Sequence, residues 1–451
     1  MNTMRTHLTM LASAVLLAAC ATPPVPEPST LRFAAPAQWQ GLATGADAAA
    51  PDWAGLLDPQ LAALQARALA ANRDLAQAAL RLQAATRQVR AAELARQPTP
   101  SLSLSAGAQR PLEGGGPGMQ RSHSVSAGAG FELDLWQRLA ALQTAQGAQA
   151  RAAEADLAAA RLLIRSEVAS SYWSLASLQA ERPLMQAQLE LATEALGLTR
   201  LRVREGKLLP IEIDKAAGTL QQLQLQLAQN QEQQLQQRLQ LGLLLDDAAL
   251  ALGVAALPTG ALPDWRVLPP ETALARRPDV QQARAQVDAA LSRLQAAQAA
   301  RYPSLSFSLG VSTGGARWDD WLRNPLASLS TSLLVPLVDW RRLDLQRDDA
   351  RGELDGAALR LRDTLHQALV EVEQLAAEQQ RLQAAGRAVD SRLAEAREAE
   401  RLAALQLEVG RIGRLDWLQA RNARLAAEGE QLRLRLSAWL NQAGLYKALA
   451  S

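Results

Sequence analysis

A single cysteine, Cys20, stands in a chain of 451 residues. An internal disulfide and a cysteine metal cluster are therefore both excluded. Histidine is scarce as well: His7, His123 and His366 lie far apart, without ligand spacing. No glycine-rich phosphate loop follows a strand-like segment, and no catalytic constellation is visible. The expectation is a protein that is not an enzyme, with no cofactor and no metal. Aromatic residues make up only 4%, while Ala, Leu, Gln and Arg dominate, the composition of long packed helices. Net charge is +2, with Lys and Arg interleaved among Asp and Glu. A phosphate-backbone binder needs a basic face, so nucleic acid is excluded as a partner. Beyond the N-terminus no apolar run reaches the roughly 18 residues of a membrane-spanning helix.

What is present begins with a short basic and apolar leader. Arg5 and His7 precede an apolar run from Leu8 to Ala19, ending Leu17-Ala18-Ala19-Cys20. That pattern predicts a secretory signal over residues 1–19. Its last four residues resemble a bacterial lipobox, which implies a covalent lipid on Cys20; the alternative is cleavage nearby with an incidental cysteine. Ala21 stands where an aspartate commonly retains lipoproteins in the inner membrane, so the resemblance favours the outer membrane. Residues 20–57, rich in Pro and Ala, read as a lipidated tether.

The chain then states one sentence twice. Pro100-Ser101-Leu102-Ser103-Leu104-Ser105 returns as Pro303-Ser304-Leu305-Ser306-Phe307-Ser308, and Leu201 to Lys207 returns as Leu405 to Arg411. Both shifts are about 203 residues, far longer than a solenoid repeat, so one large unit is duplicated. The first repeat is placed at 58–245, a connector with four prolines at 246–270, the second repeat at 271–440 and a tail at 441–451.

Each repeat carries two segments of period two, at about 99–133 and 303–336. Leu102, Leu104, Ala106 and Ala108 alternate with Ser101, Ser103, Ser105 and Gly107, and Val125, Ala127, Ala129 and Phe131 with Ser and Gly. Strict alternation in segments of about ten residues is the mark of an outer-membrane strand; an ordinary half-buried hairpin alternates too. The serine-and-glycine face and the bracketing Trp136, Trp340, Trp318 and Trp321 favour the membrane. One chain supplies four strands, too few to close a barrel, and an open edge in lipid is costly. Further chains must therefore complete the ring.

Between the strands the spacing predicts helices. Asp58-Pro59 caps an opening helix that runs to Arg96. Residues 137–204 and 341–409 form two helices of about 100 Å. In the second, Leu361, Leu365, Ala368, Val372, Leu375, Leu382, Val389, Leu393 and Ala396 step by four and three, interrupted at Gln379 and Gly386, a coiled-coil seam. Gly206 and Gly410 turn the chain back into shorter helices at 211–245 and 415–440. The fold class expected is mainly α with a small β part: a long coiled-coil tunnel with a membrane barrel to which each protomer gives four strands.

These residues resemble the outer-membrane factor family, the TolC-like channels, and particularly its lipoprotein branch. The resemblance rests on Trp53, Asp58-Pro59, Leu61, Asn72 and Asp74-Leu75; on Phe131-Glu132-Leu133-Asp134-Leu135-Trp136; on Arg277-Pro278-Asp279; and on Leu445-Tyr446-Lys447-Ala448-Leu449. Gln137 departs from it, standing where glycine is usual, and no glycines follow Leu449. The resemblance implies a homotrimer with a 12-stranded barrel, four strands from each protomer, that serves as a passive exit duct in outer-membrane lipid, fed by a periplasmic adaptor (membrane fusion protein) and an inner-membrane RND-type pump. The cargo implied is small molecules such as drugs or metal ions. A type I protein-secretion channel remains open as a same-fold alternative, and a structural coiled-coil lipoprotein as one of another class.

Two sets of site residues follow. The distal turns, Gly206-Lys207-Leu208 and Gly410-Arg411-Ile412, first read as structural glycines that tolerate positive φ. By resemblance they also meet the adaptor. Asp214, Leu415 and Asp416, with Arg414 and Arg421 as latch partners, are expected to line a periplasmic gate, or else to be solvated helix charges. Gln419 stands where the family often has a carboxylate.

Overall fold

A computed structural model of the chain describes residues 33, 35–45, 58–110, 119–250, 253, 255, 257–258, 265–317, 325–336 and 338–449. The expected signal, Cys20, Trp53, Trp318 and Trp321 lie outside these residues. The order is β1 (Ala43–Thr44), α1 (Pro59–Ala71), α2 (Arg73–Leu94), β2 (Thr99–Gln109), β3 (Gln120–Leu133), α3 (Arg138–Arg204) and α4 (Ile211–Leu244). There follow β4 (Arg266–Val267), α5 (Pro270–Arg276), α6 (Pro278–Ala299), β5 (Ser304–Gly315), β6 (Leu326–Leu334), α7 (Trp340–Glu408) and α8 (Arg414–Leu449). No helix among the described residues is long and apolar enough to cross a membrane.

Two compact units form, and they are not the two sequence repeats. The first draws on residues 80–155 and 281–364, the second on 34–79, 156–280 and 365–451. Each unit therefore takes material from both copies, and α3 and α7 contribute to both units.

In the first unit, β2-β3-β5-β6 form one antiparallel sheet, so the strand pairs of the two copies join directly through β3 and β5. The register explains the dyad. Ser103 faces Ser126 and Ser105 faces Ser124, each hydroxyl pair 2.7 Å apart; Ser308 and Ser330 repeat this at 2.8 Å. The other face aligns Leu133, Leu305 and Leu333 in one row and Ala129, Leu309 and Leu329 in another. A half-buried soluble hairpin would cover that face, yet Leu102 is 70% and Leu329 76% exposed. The chain alone leaves it bare.

In the second unit the opening helix is broken, contrary to the single helix expected to Arg96. Asp58 accepts from Leu61 N at 2.8 Å and caps α1. Asn72 then stops α1, and its Oδ1 accepts from Asp74 and Leu75 N to start α2. Its Nδ2 donates to Leu244 O at the end of α4. Around this joint Leu61, Leu64, Val168, Tyr172, Trp173, Leu241 and Trp439 are buried together, with the Trp173 and Trp439 rings 5.4 Å apart.

Two further expectations need correction. Part of the tether is packed: Trp39 is buried, its indole donates to Leu268 O at 2.8 Å, and β1 pairs in parallel with β4 of the connector. The final helix does not stop at Leu440 but runs to Leu449. Asn441 donates to Leu375 O, Gln442 accepts from the Trp265 indole, and Gly444 lies against Leu375, where a Cβ would come within 2.9 Å. These residues, placed in the tail by the sequence reading, pack within the unit. Arg277 anchors this region, bonding Asp279 at 2.8 Å, Glu371 at 2.7 Å and Ala448 O at 3.0 Å.

Candidate functional site: the distal turns and the groove beside them

Both distal turns close in the same way. Lys207 N donates to Arg202 O at 2.8 Å and Gly206 N to Val203 O at 3.0 Å; Arg411 N donates to Gln406 O and Gly410 N to Leu407 O at the same distances. This paired pattern is a Schellman motif, which needs a left-handed residue after the helix. Gly206 and Gly410 supply it, at φ 69° and 72°. A Cβ on either would meet nothing within 4 Å, so the requirement is conformational and not steric. Lys207 and Arg411 are exposed, Leu208 and Ile412 half-buried. The Lys207 ammonium, 2.9 Å from Glu205, holds that carboxyl below the usual carboxylate range.

Beside the turns, α3, α4 and α8 enclose a groove of about 690 Å³ whose walls include Arg202, Glu212, Lys215, Leu415, Asp416 and Gln419. The structure brings four of the five expected gate residues to one end of α8. Leu415 packs against a small core of Leu191, Leu418 and Leu425. Asp416 reaches back to accept from Gly413 N at 2.9 Å, the return half of a capping box, so it starts α8 before it does anything else. Asp214 stands apart, exposed in the first turn of α4; its neighbours Glu212 and Lys215 line the groove instead.

The arginines have other partners than Asp214 or Asp416. Arg414 Nε lies 2.7 Å from Glu194 on α3, and its hydrogen bond holds that carboxyl low against a smaller effect of burial. Arg414 also sits 4.2 Å over the Trp417 ring, with Arg421 at 5.2 Å from the same ring. Arg421 approaches Glu400 at 3.9 Å, and Arg424 bonds both Glu400 and Glu428. Trp417, Glu194 and Glu400 are thus the residues that sequence reasoning missed. The spacing of Arg414, Trp417 and Arg421 by three and four would have revealed the stack; Glu194, two hundred residues away, gave no signal.

The outer membrane efflux protein profile matches residues 64–246 and 270–451, nearly all of the two repeats. The chain belongs to the outer membrane efflux protein family. OpmQ of Pseudomonas aeruginosa, a pyoverdine export outer membrane protein, is 30% identical over 98% of this chain and 96% of its own length. CusC of Escherichia coli K12, a cation efflux system protein, is 25% identical over 87% of each. The open-state MtrE outer membrane channel of Neisseria gonorrhoeae superposes with a TM-score of 0.84 at 24% identity, over 95% of this chain and 98% of its own. This last likeness is one of fold. As an outer membrane efflux protein, the chain is mainly helical, with a helical tunnel and a barrel to which each protomer of a trimer gives four strands. The family is one of channels and not of enzymes.

Proposed function

We propose that this chain is one protomer of a passive exit duct in the bacterial outer membrane, receiving small molecules from a periplasmic adaptor and an RND-type inner-membrane pump. The observation that carries the reading is the four-stranded sheet with a bare apolar face, a serine face and two edges, β2 and β6, that are unpaired among the described residues. Such a sheet is stable in lipid only when neighbours close it. A covalent lipid on Cys20 would add a second hold on the membrane. The paired turns at Gly206-Lys207-Leu208 and Gly410-Arg411-Ile412 offer matched ends to an adaptor, and Arg414, Leu415, Asp416 and Arg421, with Asp214 on α4, are assigned to the gate.

The name of OpmQ makes a small organic molecule the first cargo to assay, with drugs and metal ions next. Deleting the gene should raise intracellular accumulation of its cargo, and tagged protein should co-purify adaptor and pump. Purified trimers should also conduct ions across planar bilayers. A purified chain that stays monomeric and soluble without detergent overturns the reading. For the gate, Asp416→Asn should raise conductance; unchanged conductance and ion preference remove Asp416 from it.

A further inference from the structure

At the base of the sheet, in the first unit, lies a cavity of about 950 Å³ among the starts of α3 and α7 and the end of α6. We propose that it binds the phosphate headgroup of a membrane glycerophospholipid. The proposal rests on the reading of the sheet as part of a membrane barrel.

Three observations meet here. The first is position. Pro303 and Val335 line the cavity and sit two residues from Leu305 and Leu333, the paired residues of the bare apolar face. Pro303 directly precedes β5 and Val335 directly follows β6, so the cavity adjoins the end of the sheet that carries the apolar row of Leu305 and Leu333. The second is a fixed aromatic wall. Trp136 and Tyr302 stack at 4.7 Å and 24°, and the Trp136 indole donates to Pro303 O at 2.8 Å. Trp340 stands half exposed at the rim, with the Arg301 guanidinium 5.8 Å from its ring. Amphipathic rings of this kind belong at headgroup depth.

The third is charge. Arg301, Arg347 and Arg351 face the cavity, against one lining carboxylate, Asp348. Arg347 bonds Asp348 at 2.7 Å, and Asp344 lies 3.2 Å from Arg301 and 3.5 Å from Arg347. Arg351 is exposed and has no carboxylate partner among the described residues. The planar fork of arginine suits a phosphodiester, whose two free oxygens accept in parallel. An aliphatic wall above, a cationic floor and an aromatic rim match a lipid phosphate with its glycerol and chains. A soluble anion would have no use for the aliphatic wall.

Native mass spectrometry of the full chain, purified as a trimer in detergent, tests this with dioleoylphosphatidylglycerol, dioleoylglycerol and inorganic phosphate as separate probes. The phosphatidylglycerol should be retained at one per protomer, and dioleoylglycerol, which lacks phosphate, should not. Equimolar inorganic phosphate should fail to displace the lipid. Replacing Arg301, Arg347 and Arg351 together by Gln should reduce retention about tenfold or more. Should that trimer not assemble, Arg351→Gln alone, at an exposed and unpaired position, should still lower retention severalfold. Equal retention in the variants, or equal retention of dioleoylglycerol, overturns the proposal; displacement by inorganic phosphate overturns the lipid as its source. Planar-bilayer conductance of the same trimers separates the two readings, since a conducting trimer that binds no lipid keeps the duct and loses this site.

Discussion

Gly410 has two properties that a mutation separates. Its backbone is left-handed, which costs a non-glycine residue about 1–2 kcal/mol, while the space beyond its Cα is open. Gly410→Ala and Gly410→Trp should therefore lower trimer stability by a similar amount in thermal unfolding. Only the bulky variant should lose co-purification with the adaptor; equal losses from both would remove the turn from the contact. Gln137 illustrates the same physics from the other side. It sits at φ 58°, which is why its position resembles a glycine site. Asp134 compensates by accepting from Leu139 and Ala140 N.

Arg277 concentrates more interactions in one side chain. Burial opposes its charge, yet Asp279 and Glu371 more than offset this, and both carboxyls are held low in turn despite their own burial. Arg277→Ala should cost about 2–3 kcal/mol, discounted because its partners are partly exposed. A depressed carboxylate stabilises the fold above its unfolded value and loses that contribution as pH falls through the folded one. The variant should therefore show weaker acid sensitivity than the wild type below about pH 4.5 in thermal unfolding; an unchanged pH profile would contradict the account.

Among the elements, α3 is the one that breaks a rule. Pro183 lies inside it, where a proline removes a backbone donor and crowds the preceding turn. Nearby, Asn230 and Gln234 of α4 both donate to Leu178 O, at 3.1 and 3.2 Å, and Gln234 donates to Asn230 at 2.7 Å. Glu181 is buried in the same turn. Burial pushes its carboxyl up from 4.5, and Arg433 at 3.7 Å and Ser177 at 3.4 Å only partly counter that. A raised carboxyl contributes stability below its unfolded value and loses it as pH rises through the folded one. Glu181→Gln should therefore gain thermal stability relative to wild type as pH rises above about 4.5, and a loss there would show that the Arg433 pairing dominates.

How legible each element was follows from where its signal resides. The strands were readable because the dyad of serine and leucine is local, and the long helices because Gly206 and Gly410 mark their ends. The seam residues Leu361, Leu365, Val372, Leu382, Val389 and Leu393 are all buried. Signals that depend on remote partners were not readable. Asn441, Gln442 and Gly444 look like a frayed terminus until Leu375 and Trp265 are beside them. Asn72 looks like any polar helix residue until Leu244 presents a carbonyl. At the site, the glycine turns were visible, but the carboxylate facing Arg414 was not.

For the whole molecule, the two faces of the sheet make opposite predictions. Leu104→Arg places a charge on the bare apolar face and should cost about 2–4 kcal/mol of barrel stability in bilayers, read as loss of heat-resistant trimer. Ser103→Arg, one residue away on the hydroxyl face, should leave the trimer intact and change conductance and ion preference. Equal effects from the two would mean that the faces are not divided between lipid and water.

The buried Trp39 indole and the short β1–β4 pairing place a knot in the segment that follows Cys20. Trp39 is only 19 positions along the chain from Cys20, and a fully drawn-out chain gains at most about 3.3–3.6 Å per residue. An acyl group on Cys20 would thus be leashed within roughly 65 Å of that indole, whatever path the slack takes. Trimming the leash residue by residue should leave the protein membrane-held until the rope runs short, and should then set the lipid and the knot pulling against each other.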